Sequence, residues 1–244
     1  MRQIDPQALL DILRADRLRF CGMLWELNQG GNEAFASEDH SCFALVHQYW
    51  YGPHATFTGY DPAFLRQVLR RYPKLGLCVD LPPGAQLQIE RMRGLKAYSL
   101  PFEFFAYDGD IPAAPIDLHI RLLDESEFDL LRPLVRDEIE LKTPGMQAFA
   151  WFEGEQIAGY LHCSPCYEDI WDVGYVFTLP EHQGRGIGAA LYYAYRKTIR
   201  EQGETPYVSG VTNPASAAAA RKAGFLPCSI RYAYKYKRPK IGFV

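Results

Sequence analysis

The chain has 244 residues, and with 48% hydrophobic and 14% aromatic residues it can bury one large core or two of ordinary size. A net charge of −3 excludes a general attraction to nucleic acids or anionic membranes. No apolar run reaches the roughly 18 residues of a membrane span, and Met1–Pro6 lacks a secretory apolar region. We therefore expect a cytoplasmic protein with reduced cysteines, either monomeric or homodimeric.

The first part of the chain has a mixed α/β pattern. Predicted helices cover Pro6–Phe20, Asp61–Arg71 and Gln86–Met92, and predicted strands cover Cys42–Trp50, Ala55–Tyr60, Leu75–Leu81 and Ala97–Tyr107. Turn formers are concentrated in Asp108–Pro115, so we predict two domains, residues 1–115 and 116–244. The first domain has no glycine-rich phosphate turn, so we expect no nucleotide site in it. It is either a degenerate copy of the second domain or an unrelated α/β cap.

The second part has a clearer pattern of elements. Predicted strands cover Ile116–Leu123, Gln147–Glu153, Gln156–Ser164, Ile170–Leu179, Thr205–Thr212 and Ser229–Lys237. Predicted helices cover Asp124–Leu134, Arg136–Leu141, Ile187–Arg200 and Ala215–Ala223. The predicted fold class is α+β: a mixed, mostly antiparallel central sheet flanked by helices, together with the N-terminal α/β domain.

The segment Thr178–Leu191 joins the end of a strand to the start of a helix through a glycine-dense turn. Gly184, Gly186 and Gly188 lack a Cβ, so a bound group can approach the main-chain N–H groups directly. The helix N-terminus adds partial positive charge, which favours a phosphate or pyrophosphate. The spacing matches neither the P-loop nor the Rossmann motif. The alternative is a glycine turn with a purely structural role.

The pattern Gln183-x-x-Gly186-x-Gly188 resembles the pyrophosphate loop of the GNAT N-acetyltransferase superfamily, whose members bind acetyl-coenzyme A. Val173–Thr178 resembles the fourth strand of that family, and Asn213–Phe225 resembles its later Asn…Gly-Phe segment. The resemblance covers roughly residues 116–236. It implies the acetyltransferase fold, in which the fourth and fifth strands splay apart to receive the pantetheine arm.

The resemblance also implies which residues bind the coenzyme. The predicted set comprises Val176, Phe177, Thr178, Gln183, Gly184, Arg185, Gly186, Ile187, Gly188, Ala189, Asn213 and Ser216. Asn213 could equally cap the helix that follows it.

Asp172 occupies the position where some members of the family carry a general base on strand four. Glu168 could share this role, attract a cationic amine or simply lie in an exposed loop, and Asp172 could instead be a strand-edge residue that pairs with an arginine. The family often has a tyrosine as general acid where this chain has Ala220. Ser216, Tyr192 or Tyr232 could replace it, or the thiolate could leave unassisted.

The resemblance predicts transfer of an acetyl group from acetyl-coenzyme A to a primary amine, either a small molecule or a peptide. Acids at Asp137, Glu138 and Glu140 favour a small cationic acceptor. The alternative function is a non-catalytic, regulatory acyl-coenzyme A-binding module. The pair Cys163 and Cys166 beside His162 lacks the further ligands of a zinc site, and Pro165 predicts a turn there, so we expect no metal.

Overall fold

The computed structural model describes residues 1–82, 84–98, 100–107, 109, 119–135 and 140–239. The strands are β1 (Arg2–Ile4), β2 (Asn32–Ala36), β3 (Phe43–Tyr49), β4 (Gly52–Phe57), β5 (Lys74–Asp80), β6 (Leu95–Ala97), β7 (Phe102–Ala106), β8 (Ile120–Leu123), β9 (Gln147–Glu153), β10 (Gln156–Tyr167), β11 (Ile170–Thr178), β12 (Thr205–Val211) and β13 (Leu226–Lys237). The α-helices are α1 (Leu10–Arg14), α2 (Cys21–Gln29), α3 (Pro62–Arg71), α4 (Gln86–Glu90), α5 (Ile187–Glu201) and α6 (Pro214–Lys222). Short 3-10 helices cover Pro6–Leu9, Glu125–Leu131, Glu140–Lys142 and Pro180–His182.

The chain forms two compact units. The first contains residues 1–102 and 229–244, and the second contains residues 103–228. This division differs from the predicted boundary at residue 115. The last strand of the first half, β7, lies in the sheet of the second unit, and the last strand of the second half, β13, lies in the sheet of the first unit. In the described residues, no helix is both long and apolar enough to cross a bilayer.

The sheet of the first unit has the order β1-β2-β3-β4-β5-β13, with β6 on the other side of β13. Among the described strands of this sheet, β4 and β5 form the parallel pair, which stays in register from His54↔Gly76 to Phe57↔Val79. The core of this unit gathers apolar side chains of the sheet with Phe64, Leu65 and Val68 of α3. An extended Asp61 caps α3, and Pro62 occupies its first turn, as the sequence predicts.

The sheet of the second unit has the order β7-β12-β11-β10-β9-β8. Here too one pair is parallel, β11 with β12, and the other pairs are antiparallel. Helix α5 and part of α6 pack on one face of the sheet, around Leu191, Tyr195 and Phe225. The 3-10 helix Glu125–Leu131 covers residues of the other face. The fold class predicted from the sequence is therefore observed.

The two units repeat one order of elements. Each has a strand, a helical segment, three antiparallel strands, a helix, a strand parallel to the third of those three, and another helix. Each sheet is then extended by one antiparallel strand from the opposite half of the chain: β13 in the first unit and β7 in the second. The first half is thus a copy of the same fold and not an unrelated cap.

Several predicted elements need correction. Pro6–Phe20 is not one helix but a 3-10 turn followed by the short α1, and the sequence reading missed α2, β1 and β2. The predicted closing strand of the second domain, Ser229–Lys237, pairs instead with β5 and β6 of the first unit. The region Asp124–Leu134 has the expected acidic cap but winds as a 3-10 helix. Residues 136–139 of the predicted helix Arg136–Leu141, and residues 116–118 of the predicted strand Ile116–Leu123, lie outside the described residues.

Pro165 does not end a strand as predicted, because β10 continues through it to Tyr167. The pairing of β10 with β9 ends at Cys163, so Pro165 lies where β10 has only one neighbouring strand. The register with β11 shifts between Pro165 and Tyr167, which marks a bulge. A bulge on a strand with one free edge tolerates the missing N–H of proline.

Candidate active site

Strands β11 and β12 form a fork. They pair over three residues only, from Ile170↔Thr205 to Asp172↔Tyr207, and the rest of β11 has no pairing with β12. Both strands are irregular just beyond the last pair. Gly174 is an extra residue in the β10–β11 register, and Gly210 has a φ of 65° where the β12–β7 register shifts. Bulges bend a strand and increase its twist, so they separate the two edges.

The bulge requires a glycine at position 174, because a neighbouring aromatic ring leaves no space for a side chain. A Cβ added there would overlap the imidazole of His162 on β10. His162 is buried and stacks on Tyr160, with 6.3 Å between ring centroids. The ring therefore occupies the space that a side chain at position 174 would need.

Two side chains bond across the base of the fork. The Tyr195 hydroxyl on α5 donates to the Trp171 carbonyl at 2.6 Å and accepts from the Tyr207 N–H at 2.9 Å. The Asp172 carboxylate accepts from the Ser209 N–H at 2.9 Å and from the Ser209 hydroxyl at 2.6 Å. Both strands are therefore held by side chains where their main-chain ladder ends.

The environment of Asp172 changes its acidity. Burial raises the pKa of its carboxyl to about 7, although the two hydrogen bonds from Ser209 act in the opposite direction. Burial also raises the pKa of Tyr192 to about 12 and the pKa of the Cys163 thiol well above its usual range. Of these neighbouring groups, only Asp172 changes protonation near neutral pH.

The glycine loop beyond β11 leaves main-chain donors without side-chain cover. Gly184 and Gly186 have φ values of 78° and 86°, in the left-handed region, and no atom lies within 4 Å of a Cβ added at either position. Gly186 is the N-cap of α5 and offers no side-chain cap. The first i→i−4 bond near the start of this helix runs from the Ala190 N–H to the Gly186 carbonyl. The preceding N–H groups thus lack intrahelical acceptors, as at every helix start.

Gln183 and Arg185 brace this loop. The Gln183 side chain donates to the Thr178 carbonyl at 3.2 Å, which ties the loop to the end of β11. The Arg185 guanidinium donates to Glu153 at 2.5 Å and lies 2.7 Å from the His182 ring nitrogen. Side chains that sequence reasoning assigns to the coenzyme are thus engaged by protein groups, so it is the main chain that stays open.

The unpaired end of β11 and the glycine loop border one cleft of about 570 Å³. Most of the predicted coenzyme residues line it: Val176, Phe177, Thr178, Gln183, Gly184, Gly186, Ile187, Gly188, Ala189, Asn213 and Ser216. No acidic residue is among the described residues that line it, whereas Lys222 and the N-terminus of α5 contribute positive charge. This polarity suits an anion.

Three predicted site residues are not among the described residues that line the cleft: Asp172, Glu168 and Arg185. Asp172 lies at the base of the fork, two residues before the bulge. Glu168 is exposed, with a φ of 49°, in the turn before β11, at the paired end of the fork. Asp137 and Glu138 lie outside the described residues, and no position is described for the Glu140 side chain.

Sequence reasoning missed part of the cleft wall. The additional lining residues are Tyr175, His182, Ala215, Ala218, Ala219 and Lys222. Four of these lie on α6 at helical spacing, and three of the four are alanines. That pattern of small residues on one helix face, next to a predicted phosphate loop, is the signal that could have revealed this wall.

Gly159 on β10 is a second missed residue. A Cβ there would lie 2.8 Å from the Phe177 carbonyl oxygen and 2.9 Å from Ile187 Cγ2. The missing side chain therefore lets the start of α5 pack closely on the sheet. No motif in the sequence indicates this requirement.

The structure distinguishes the candidate general acids by their positions relative to the cleft. Tyr192 and Ser216 both line the cleft, and their hydroxyl oxygens are 2.9 Å apart. Ala220 is fully buried in the core, and Tyr232 lies on β13 in the first unit. Asn213 caps α6, because its side-chain oxygen accepts from the Ala215 N–H at 2.9 Å.

None of the six cysteines, all of which lie in the described part of the chain, forms a disulfide. The described residues contain no group of three His, Cys, Asp or Glu side chains that could hold a metal ion.

The corresponding place in the first unit is built differently. Strands β4 and β5 stay paired to the end of β4, so they form no fork. The N-terminus of α3 is occupied by its own cap, because the Asp61 carboxylate accepts from the Ala63 N–H at 2.7 Å and from the Phe64 N–H at 3.2 Å. A carboxylate on these donors both fills the anion site and repels a phosphate. The anion-binding geometry is therefore present in the second unit.

Comparison with known families agrees with this geometry. Residues 115–225 match the model of the acetyltransferase (GNAT) family. The match contains the fork, the glycine loop and α6. No curated protein sequence is similar enough to match the chain.

Solved structures extend the likeness to the first half. A GCN5-related N-acetyltransferase from Kribbella flavida is 15% identical, with a TM-score of 0.58, and the match covers 88% of this chain and 95% of that one. A Drosophila protein is 14% identical, with a TM-score of 0.60 and coverage of 98% and 99%. A tandem GNAT protein from the clavulanic acid biosynthesis pathway is 15% identical, with a TM-score of 0.50 and coverage of 91% and 89%. At these identities the likeness concerns the fold, and it extends over both halves of the chain.

Proposed function

We propose that the second unit binds acetyl-coenzyme A and transfers its acetyl group to a primary amine. The observation that carries this proposal is the continuity of one cleft, in which the unpaired edge of β11 leads directly to the uncapped glycine loop. A diphosphate would bind the N–H groups of Gly184–Ala189, and the pantetheine arm would lie along Val176–Thr178 as an added strand does. Lys222 adds a cation for the phosphates.

The reaction is proposed as direct transfer in a ternary complex. The amine nitrogen attacks the thioester carbonyl carbon, the C–S bond breaks, and the amine proton leaves through a water molecule to Asp172. With a pKa of about 7, the Asp172 carboxylate is poised to accept a proton near neutral pH. Main-chain N–H groups at the open edge of β11 would stabilise the charge that develops on the carbonyl oxygen.

The leaving thiolate would receive its proton from the Tyr192–Ser216 pair. The two hydroxyl groups are hydrogen-bonded and line the cleft, so they can serve where the family position holds Ala220. Because the pKa of Tyr192 is about 12, its hydroxyl is protonated over the whole physiological range. A thiolate of pKa about 8.5 is also a tolerable leaving group by itself, so Tyr192→Phe is expected to slow turnover without abolishing it.

The acceptor is proposed to be a small cationic amine, on the basis of the acidic sequence around Asp137 and Glu138. The test is acetyl-coenzyme A-dependent thiol release over polyamines, amino acids, aminoglycosides and peptide N-termini. In Asp172→Asn, turnover should fall by about a hundredfold or more because the base is lost, while the dissociation constant for acetyl-coenzyme A is kept.

The rival function, an acyl-coenzyme A-binding module without catalysis, is favoured by the buried Ala220 at the usual acid position. Tight binding of acetyl-coenzyme A without acetylation of any amine in the panel would support this rival. Failure to bind acetyl-coenzyme A at all would contradict both functions.

A further inference from the structure

The bulges at Gly174 and Gly210 bend the two strands of the fork apart, and side chains bond to main-chain groups at its base. Beyond Asp172 and Tyr207, the facing edges of β11 and β12 carry N–H and C=O groups that could pair with each other. In a continued register, the Ser209 N–H would face the Val173 carbonyl. Instead it donates to the Asp172 carboxylate. A side chain of β11 thus takes the donor that would extend the ladder.

The second hydrogen bond to the same carboxylate fixes its orientation. The Ser209 hydroxyl donates to the other Asp172 oxygen, so both oxygens are engaged by a single residue of β12. One step towards the paired end, the Tyr195 hydroxyl bonds to both strands at once. Tyr195 is fully buried and belongs to α5, whose N-terminus borders the glycine loop.

We propose that Asp172, Ser209 and Tyr195 form a fork clamp: three positioning residues that hold β12 at a fixed distance from β11 and so set the width of the fork. This inference rests on the proposed function, because the clamp matters only if an acyl arm lies in the fork. Ser209 and Tyr195 act through the strands and touch no reacting atom. Asp172 has this role in addition to its proposed role as base.

The two roles of Asp172 can be separated by substitution. An asparagine can accept from the Ser209 N–H through its oxygen and donate to the Ser209 hydroxyl through its nitrogen, so Asp172→Asn keeps the clamp and removes the base. Asp172→Ala removes both. We expect Asp172→Asn to bind acetyl-coenzyme A within about threefold of wild type, and Asp172→Ala to bind about tenfold or more weakly, in line with the loss of two hydrogen bonds.

Tyr195→Phe tests the third member of the clamp. It should weaken acetyl-coenzyme A binding by about tenfold, since a fork without this hydroxyl can narrow. The matched control is Tyr72→Phe in the first unit, which deletes a hydroxyl that donates to Glu33 at 2.8 Å. The control should lower the melting temperature and leave acetyl-coenzyme A binding unchanged.

The measurement is calorimetric titration of the full chain with acetyl-coenzyme A, together with amide hydrogen exchange at Ser209. In wild type and Asp172→Asn the Ser209 N–H should exchange slowly, and in Asp172→Ala it should exchange quickly. Should Asp172→Ala and Tyr195→Phe both bind as tightly as wild type, the clamp is overturned. It is equally overturned if Asp172→Asn loses as much affinity as Asp172→Ala, because charge and not bonding would then set the affinity. A wild-type chain that binds no acetyl-coenzyme A would instead refute the proposed function.

Discussion

Asp172 combines three properties at the scale of a single residue: a place at the base of the fork, two hydrogen bonds from Ser209 and a raised pKa. The sequence predicts its position through the spacing to Gln183. It does not predict the bonds to Ser209, which depend on a parallel neighbour that is 37 residues away.

The raised pKa of Asp172 has a consequence for stability. Its folded pKa of about 7 exceeds its unfolded pKa, so between the two the folded state binds more protons. Stability therefore falls as pH rises through about 7. Asp172→Asn lacks this penalty, so its free energy of unfolding in urea should improve relative to wild type when the pH goes from 5 to 8.

Asp39→Asn provides the control for this experiment. Hydrogen bonds from Ser37 and Ser41 lower the pKa of Asp39 to about 2, so its carboxylate is ionised throughout this pH range. The difference between this variant and wild type should be the same at pH 5 and pH 8. If Asp172→Asn behaves in the same way as this control, the Asp172 carboxyl does not titrate near pH 7.

Among the secondary-structure elements, the N-terminus of α5 matters most for the proposed binding of acetyl-coenzyme A. Gly186 and Gly203 flank this helix, and both have left-handed φ values, of 86° and 84°, with open space where a Cβ would lie. An alanine at either position costs similar backbone strain, about 1–2 kcal/mol. They differ in place, because Gly186 lines the cleft and Gly203 follows the end of the helix.

We therefore expect Gly186→Ala and Gly203→Ala to lose similar stability in thermal unfolding. Only Gly186→Ala should lose affinity for acetyl-coenzyme A, by about tenfold or more, because the added methyl group makes the main-chain N–H groups of the glycine loop less accessible. Calorimetric titration of both variants gives the comparison. Equal affinities in the two variants would show that the loop does not contact the ligand.

The sequence predicts the elements of the second unit well, because their signals are local. The glycine spacing, the caps at Asp124 and Asn213 and the alternation of the meander strands each lie within a few residues. Elements of the first unit such as α2 and β2 were not predicted. In α2 (Cys21–Gln29) the apolar pattern is weak, and the helix buries Glu26. Tertiary packing, not local propensity, fixes such segments.

At the scale of the whole molecule, the exchange of last strands could not be predicted from the sequence. Ser229–Lys237 has the right pattern for a final strand, but the pattern does not say which sheet it joins. It pairs with β5 and β6 of the first unit. The strand that joins the sheet of the second unit is β7, whose Phe105 is fully buried in the core of that unit.

This exchange predicts that neither half is complete alone. A fragment that begins at residue 116 lacks β7, and a fragment that ends at residue 115 lacks β13, so each leaves a sheet edge and core side chains uncovered. Expressed separately, residues 1–115 and 116–244 should be insoluble or show no cooperative unfolding. Co-expressed, they should associate and restore a cooperative transition. A soluble, cooperatively folded 116–244 fragment would contradict the exchange.

The two halves also differ in what they can bind. The second unit has an open fork and an uncapped helix start, whereas in the first unit the strands stay paired and Asp61 caps α3. Amide hydrogen exchange of the full chain, with and without acetyl-coenzyme A, tests this asymmetry most directly. We expect ligand-dependent protection of Val176–Thr178 and Gly184–Ala189, with none at Thr58–Phe64. Protection at Thr58–Phe64, or unchanged exchange in the glycine loop at saturating ligand, would contradict it.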